Sequence, residues 1–130
     1  MRRFGLALGA AFLVGFGVPL VARVARSWHL RVAVSGHSME PGLLDGDWLL
    51  VKPTGNAPQE DHVIVARDPR QRSRLIVKRV VAVAEDGSLL VAGDHPAHRR
   101  EGAEIGRVAP ESVVGRPWFR YWPLSRVTFL

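Results

Sequence analysis

Hydrophobic and polar positions divide this 130-residue chain into two unlike parts. Residues 4–22 carry no charge and are closed by Arg2 and Arg3 on one side and Arg23 on the other. As a helix rising ~1.5 Å per residue, such a run comes close to the ~30 Å hydrocarbon thickness of a bilayer. Gly5, Gly9, Gly15, Gly17 and Pro19 would weaken a helix in water but are tolerated in a membrane. One N-terminal transmembrane helix is therefore expected. Beyond it the pattern shortens. Apolar or alternating stretches at 30–34, 47–52, 62–67, 75–84, 89–92 and 112–122 are separated by Pro53, Gly55, Pro58, Pro69, Gly87, Gly93, Pro96, Gly102 and Gly106. Strand-length runs cut by turn residues predict β-structure, and no amphipathic helix or heptad pattern follows the anchor. The expected fold is mostly β: an antiparallel barrel-like domain over 27–130, preceded by a membrane anchor over 1–26.

The competing reading of the first part is a cleavable secretory signal with Arg2 and Arg3 as its basic head. The residues that follow the run, VARVARSW, place arginine where a cleavage site needs small side chains, which favours an uncleaved anchor. Charge does not orient that anchor, because Arg23, Arg26 and Arg31 after the run balance Arg2 and Arg3 before it.

Composition removes several classes of chemistry. The chain has no cysteine, so disulfides, thiolate catalysis and cysteine-ligated metal sites are excluded. The net charge of +6 suggests a polyanionic partner, but Arg2, Arg3, Arg23 and Arg26 flank the apolar run. Without them 14 basic residues face 12 acidic ones, and no nucleic-acid partner is expected. Arg67, Arg70, Arg72 and Arg74 form a local cluster that reads as a solvated loop. Lysine occurs only at Lys52 and Lys78, against 16 arginines. Lysine can give up its proton where arginine in practice cannot, so Lys78 inside an apolar stretch draws notice.

Two segments hold candidate chemistry. In SGHSMEPGLLDGD, residues 35–47, Ser38 follows Gly36-His37 and precedes Met39 and Pro41. Gly36 permits tight backbone geometry and Pro41 fixes the chain just past the serine. Such a loop can expose a hydroxyl and aim backbone N–H groups at a developing oxyanion. In LIVKRVVAV, residues 75–83, a strand would put Lys78 on one face with Ile76, Val80 and Ala82, and Arg79 on the other with Val77 and Val81. Burial among aliphatics disfavours an ammonium, and a neutral amine near Ser38 would serve as general base. The blander reading of each is a turn serine and a lysine snorkelling to water.

Taken in order, GHSMEPGLLDGD, EDHVIVARDP, VKRVVAV, VAGDHP and VVGRPWFRYWP resemble the box series of type I signal peptidases. The mitochondrial inner-membrane peptidases share that series, as do the small proteases proposed to mature nickel superoxide dismutase. The likeness spans about residues 32–123. It implies a signal-peptidase or repressor-peptidase fold and a serine endopeptidase that cleaves signal or pro-sequences from precursor proteins. Ser38 would be the nucleophile and Lys78 its base, with the Ser38 backbone N–H in the oxyanion hole. Substrate would bind around Gly36, His37, Met39 and Pro41, with Met39 lining a pocket for a small side chain. Asp47, Arg79, Gly93 and Asp94 would be structural residues near the site. The implied partners are a precursor polypeptide and membrane lipid. No metal or cofactor is implied, oligomeric state is left open, and the catalytic domain would lie on the exported side.

The chain departs from the family pattern in places. Gly42 stands where threonine is usual, and Gly36 where some members carry a second oxyanion-stabilising serine. In GDHPAHRREGAEIG, His95 replaces asparagine, Arg99 and Gly102 replace two serines, Ala103 replaces arginine, and Glu101 keeps an acid. This leaves open a catalytically silent, membrane-anchored binding relative. A self-cleaving Ser–Lys repressor-type peptidase is a further rival. His95 and His98 are spaced for a metal, yet no third ligand stands at helical spacing. His37 adjoins Ser38 and would point to the opposite face, which argues against a Ser–His–Asp triad. Trp118, Phe119, Tyr121 and Trp122 are expected in the core, with interfacial anchoring as the alternative.

Overall fold

The computed structural model describes residues 30–54, 56–99 and 106–130. The expected anchor at 4–22 and the departures at 101–103 lie outside them, and among the described residues no helix is long and apolar enough to cross a membrane. Among the described residues eight strands form one sheet: β1 (Leu30–Ala33), β2 (Trp48–Lys52), β3 (Val63–Arg67), β4 (Leu75–Val83), β5 (Leu89–Ala92), β6 (Gly106–Val108), β7 (Val113–Trp122) and β8 (Thr128–Phe129). Every pairing is antiparallel. The order is β1-β2-β7-β3-β4-β5-β6, with β8 added beside β7, which makes a curled half-barrel.

β7 is the hinge of the curl. Its first residues pair with β3, Val65 opposite Gly115, and its later ones with β2, Trp48 opposite Trp122. Gly115 allows the strands to cross closely: a Cβ there would lie 2.9 Å from Val51 Cγ1. Pro117, which cannot donate to a ladder, pairs with Val51 where the β2–β7 register shifts. Bulges of this kind increase twist and bend a sheet.

Three apolar clusters fill the curl. Ile64, Val80, Leu89, Val91 and Val108 pack between β3, β4, β5 and β6. Val32, Val51 and Val65 join β1, β2 and β3. Val34, Met39, Leu43 and Leu49 carry the loop after β1 down onto Val63 and Val77. All six expected strands form, each within a residue of its expected ends. β6 and β8 are additions; Gly106, read as punctuation, opens β6 opposite Val91. A four-residue helix, α1 (Pro96–Arg99), also appears after β5.

The C-terminal aromatics are not core. Trp122 is 49 % exposed and Phe129 75 %, and Trp118, Phe119 and Tyr121 are half-buried. The Trp118, Phe119 and Phe129 rings lie tilted against one another, with centroids 5.1–6.0 Å apart. Trp122 closes β7 and Phe129 lies on the two-residue β8 at its side, and residues at the ends and edges of a sheet have fewer neighbours to bury them.

Candidate active site

The loop of residues 35–46 begins and ends on paired backbone. The Val34 N–H donates to the Asp47 carbonyl at 2.8 Å, and the Gly46 N–H to the Val34 carbonyl at 2.9 Å. Gly36 takes φ +92°, in the left-handed region that favours glycine, and its N–H donates to Asp45 Oδ1 at 2.8 Å. Met39, expected to line a substrate pocket, is 2 % exposed among Val34, Leu43 and Leu49. Its visible job is to bolt the loop to the core, leaving half-buried Ser38 just above it. Pro41 is exposed and follows a cis peptide bond. His37 turns away from Ser38 toward Glu40, with Nδ1 2.6 Å from Oε1, so it is engaged elsewhere than in a triad. That contact, with the charges of Glu40 and Asp45, raises the His37 pKa above 6.5.

Lys78 lies in β4 opposite Ile64, half-buried. Ile76 and Val80 pack with that same cluster, as expected of its face. Ala82 does not share it. The β4–β5 register slips between Val80 and Ala82, so Ala82 faces Leu90 instead of Leu89. A bulge inserts one residue and reverses the alternation beyond it, which periodicity alone cannot reveal.

Register brings the two segments together. Arg79 pairs with Ala92, so one step earlier in β4 and one step past the end of β5 are Lys78 and Gly93. Gly93 is buried against the Ser38 loop, where a Cβ would sit 2.9 Å from Ser38 Cβ and closer still to its carbonyl oxygen. The His95 N–H then donates to that carbonyl at 2.9 Å, while His95 Nδ1 accepts the Ala97 N–H at 3.2 Å. From the other side Val77, the residue before Lys78, packs with Met39 and Leu43. Gly93 thus adjoins Ser38 directly and stands one position past the Arg79–Ala92 pair, as Lys78 does on β4.

Charged residues brace this junction. Arg79 holds Asp94 by two bonds, Nε to Oδ1 at 2.8 Å and Nη2 to Oδ2 at 2.7 Å, and Nη1 donates to the Asp61 carbonyl at 2.7 Å. The planar guanidinium matches the carboxylate edge to edge, and this contact raises the Arg79 pKa further. Asp47, 1 % exposed, accepts from Arg126 at 2.8 Å and 3.0 Å, from Arg120 at 3.2 Å and from the Leu44 N–H at 2.9 Å. Arg120 also donates to the Gly42 carbonyl at 2.9 Å. Arg120 and Arg126 were not picked out from the sequence. The signal available was only that Arg120 interrupts an apolar strand.

Among the described residues no group of three or more histidine, aspartate or glutamate side chains is arranged to hold a metal ion. A family model described as Peptidase S24-like matches residues 19–109, which contain both segments. No curated protein and no solved structure matches the chain.

Proposed function

The chain belongs to the Peptidase S24-like family, and from that premise we propose a membrane-anchored endopeptidase in which Ser38 attacks the scissile carbonyl and Lys78 takes its proton. Membership points to serine-type endopeptidase chemistry through a Ser–Lys dyad. The observation that carries the assignment of the dyad is the meeting at Gly93, which touches Ser38 and follows the residue paired with Arg79, the neighbour of Lys78.

In the proposed reaction the neutral Lys78 amine accepts the hydroxyl proton as Ser38 Oγ bonds to the carbonyl carbon. The Ser38 backbone N–H faces the oxyanion. The Lys78 ammonium then protonates the departing amine as the C–N bond breaks. Water, deprotonated by Lys78, hydrolyses the acyl-enzyme and restores the serine. His95 supports this geometry by holding the Ser38 carbonyl. Precursor polypeptides carrying a signal or pro-sequence are the proposed substrates, with the nickel superoxide dismutase precursor as a narrower candidate. Residues 4–22 are the proposed anchor, with the domain on the exported side.

The test is cleavage of a panel of precursor peptides by the full chain and by its Ser38→Ala and Lys78→Ala variants. Each variant is expected to lose about 10³-fold or more, and the double variant little beyond that, because the pair acts as a unit. Unchanged cleavage by both single variants ends the dyad assignment. Failure of the parent chain to form an acyl-enzyme with any peptide, read by intact mass, would favour the silent relative. Shortening of the parent chain alone would redirect the reaction to its own backbone.

A further inference from the structure

The ends of the sheet differ in charge. Val65 and Gly115 share one rung of β3 and β7, and Lys52 at the end of β2 lies beside it: a Cβ on Gly115 would approach the Lys52 carbonyl carbon to 2.9 Å. Past that rung β3 runs out through Arg67 into the turn of residues 68–74, which carries Arg70, Arg72 and Arg74. The turn is closed by the Asp68 N–H on the Arg74 carbonyl at 2.9 Å. Arg116 pairs with Lys52. This end therefore gathers six cations against Asp68 and Glu111.

Their pairing is what sets them apart. Arg79, Arg107, Arg120 and Arg126 each pair with an aspartate, and Arg31 lies over the Tyr121 ring. Among the described residues none of Lys52, Arg67, Arg70, Arg72, Arg74 and Arg116 has a carboxylate within ion-pair distance. Arg67 reaches only the Arg72 carbonyl, at 3.4 Å, and Asp68 accepts a backbone N–H from Arg70. Uncompensated like charges crowded on one turn repel, and a polyanion relieves that repulsion.

The path of the chain selects the polyanion. Leu30 pairs with Val51, beside Lys52, so the chain joins the domain at this same end. Before it come Arg23 and Arg26, then the apolar run at 4–22. The seven residues 23–29 span at most about 24 Å when extended. We propose that this basic end is a docking surface for anionic phospholipid headgroups, holding the domain on the bilayer that receives the apolar run. The proposal rests on the anchor reading of residues 4–22 and is independent of the dyad. Each arginine near a negatively charged leaflet gains from its potential, and the gain falls away within a Debye length.

The chain has no cysteine, so Ser73→Cys at the turn and Glu85→Cys at the opposite end each take one fluorophore. The labelled full chain is placed in nanodiscs of phosphatidylcholine, with or without phosphatidylglycerol, and quenched by neutral acrylamide. At position 73 quenching is expected to fall about twofold on the anionic discs. It should recover in ~1 M salt, where the Debye length shrinks to ~3 Å, and in the R70E/R72E/R74E variant; R72E alone should recover part. Position 85 should not respond. Equal quenching on both disc types, or protection that survives the triple reversal, overturns the proposal. Equal protection by duplex DNA at the same phosphate concentration overturns the lipid assignment in favour of nucleic acid. A chain that washes from neutral discs in salt ends the anchor reading alone. The charge-dependent protection at position 73 is then read with phosphatidylglycerol vesicles, where its loss overturns the docking surface as well.

Discussion

At the residue scale, His37 and Glu40 show how a side chain beside the proposed nucleophile can matter without touching the reaction. Their contact at 2.6 Å is largely exposed and spans the bonds on either side of Ser38 and Met39. The hydrogen bond to Glu40, then the charges of Glu40 and Asp45, raise the His37 pKa. A histidine whose folded pKa is raised adds stability below its unfolded value near 6.5, and that contribution disappears as pH climbs through the folded value. A lysine base demands the reverse, since it works only after losing its proton. The His37→Ala variant is therefore expected to cleave less well than the parent near pH 6, by under about tenfold for so exposed a pair, and to match it near pH 9. A histidine NMR titration supplies the second readout. His37 should titrate above 6.5 in the parent and fall back in Glu40→Gln. An unaltered titration in that variant would remove the pair from any role in ordering the loop.

At the scale of elements, the decisive joint is the end of β5 against the serine loop. Gly93 is there because nothing larger fits: a Cβ would collide with Ser38 from 2.9 Å. Gly93→Ala is expected to cost about 1–3 kcal/mol by overpacking, measured in urea, and to depress cleavage more than that loss alone would, because the displaced residue is the proposed nucleophile. Activity unchanged at a temperature where the variant is fully folded would detach Gly93 from the site. This joint was half legible in the sequence. The strands at 48–52, 63–67, 75–83 and 113–122 announce themselves as short β-rich runs between turn residues, and the Ser38 and Lys78 boxes by their composition. The slip that turns Ala82 away from Lys78 leaves no mark in periodicity. β6 and β8 are short and exist only because a neighbouring edge offers unpaired backbone. The exposure of Trp122 depends on whether a second layer covers the sheet, which no local pattern encodes.

At the scale of the whole molecule, one buried carboxylate ties the serine loop to the far end of the chain. Asp47 closes the loop after β1, and its two oxygens receive Arg120 from β7 and Arg126 from the 3₁₀ turn Leu124–Arg126, residues more than seventy positions away. The Arg126 carbonyl in turn accepts Arg120 Nε at 2.7 Å, and the Gly42 carbonyl accepts Arg120 Nη1. Asp47 is the member the others share, so removing its charge strands both guanidinium groups. Asp47→Asn keeps the shape but leaves two guanidinium groups facing a neutral amide, one of them only 8 % exposed. Breaking a buried ion pair from one side costs about 3–5 kcal/mol, a large part of the ~5–15 kcal/mol that holds a domain of this size together. Chemical denaturation should show that loss. Arg126→Ala should cost less, because Arg126 is more exposed and Arg120 still neutralises Asp47. In a double-mutant cycle the two substitutions should fall well short of additive. Simple additivity would mean that the Asp47 side chain acts through Arg120 and the Leu44 N–H alone, and that Arg126 stabilises the fold without acting through Asp47.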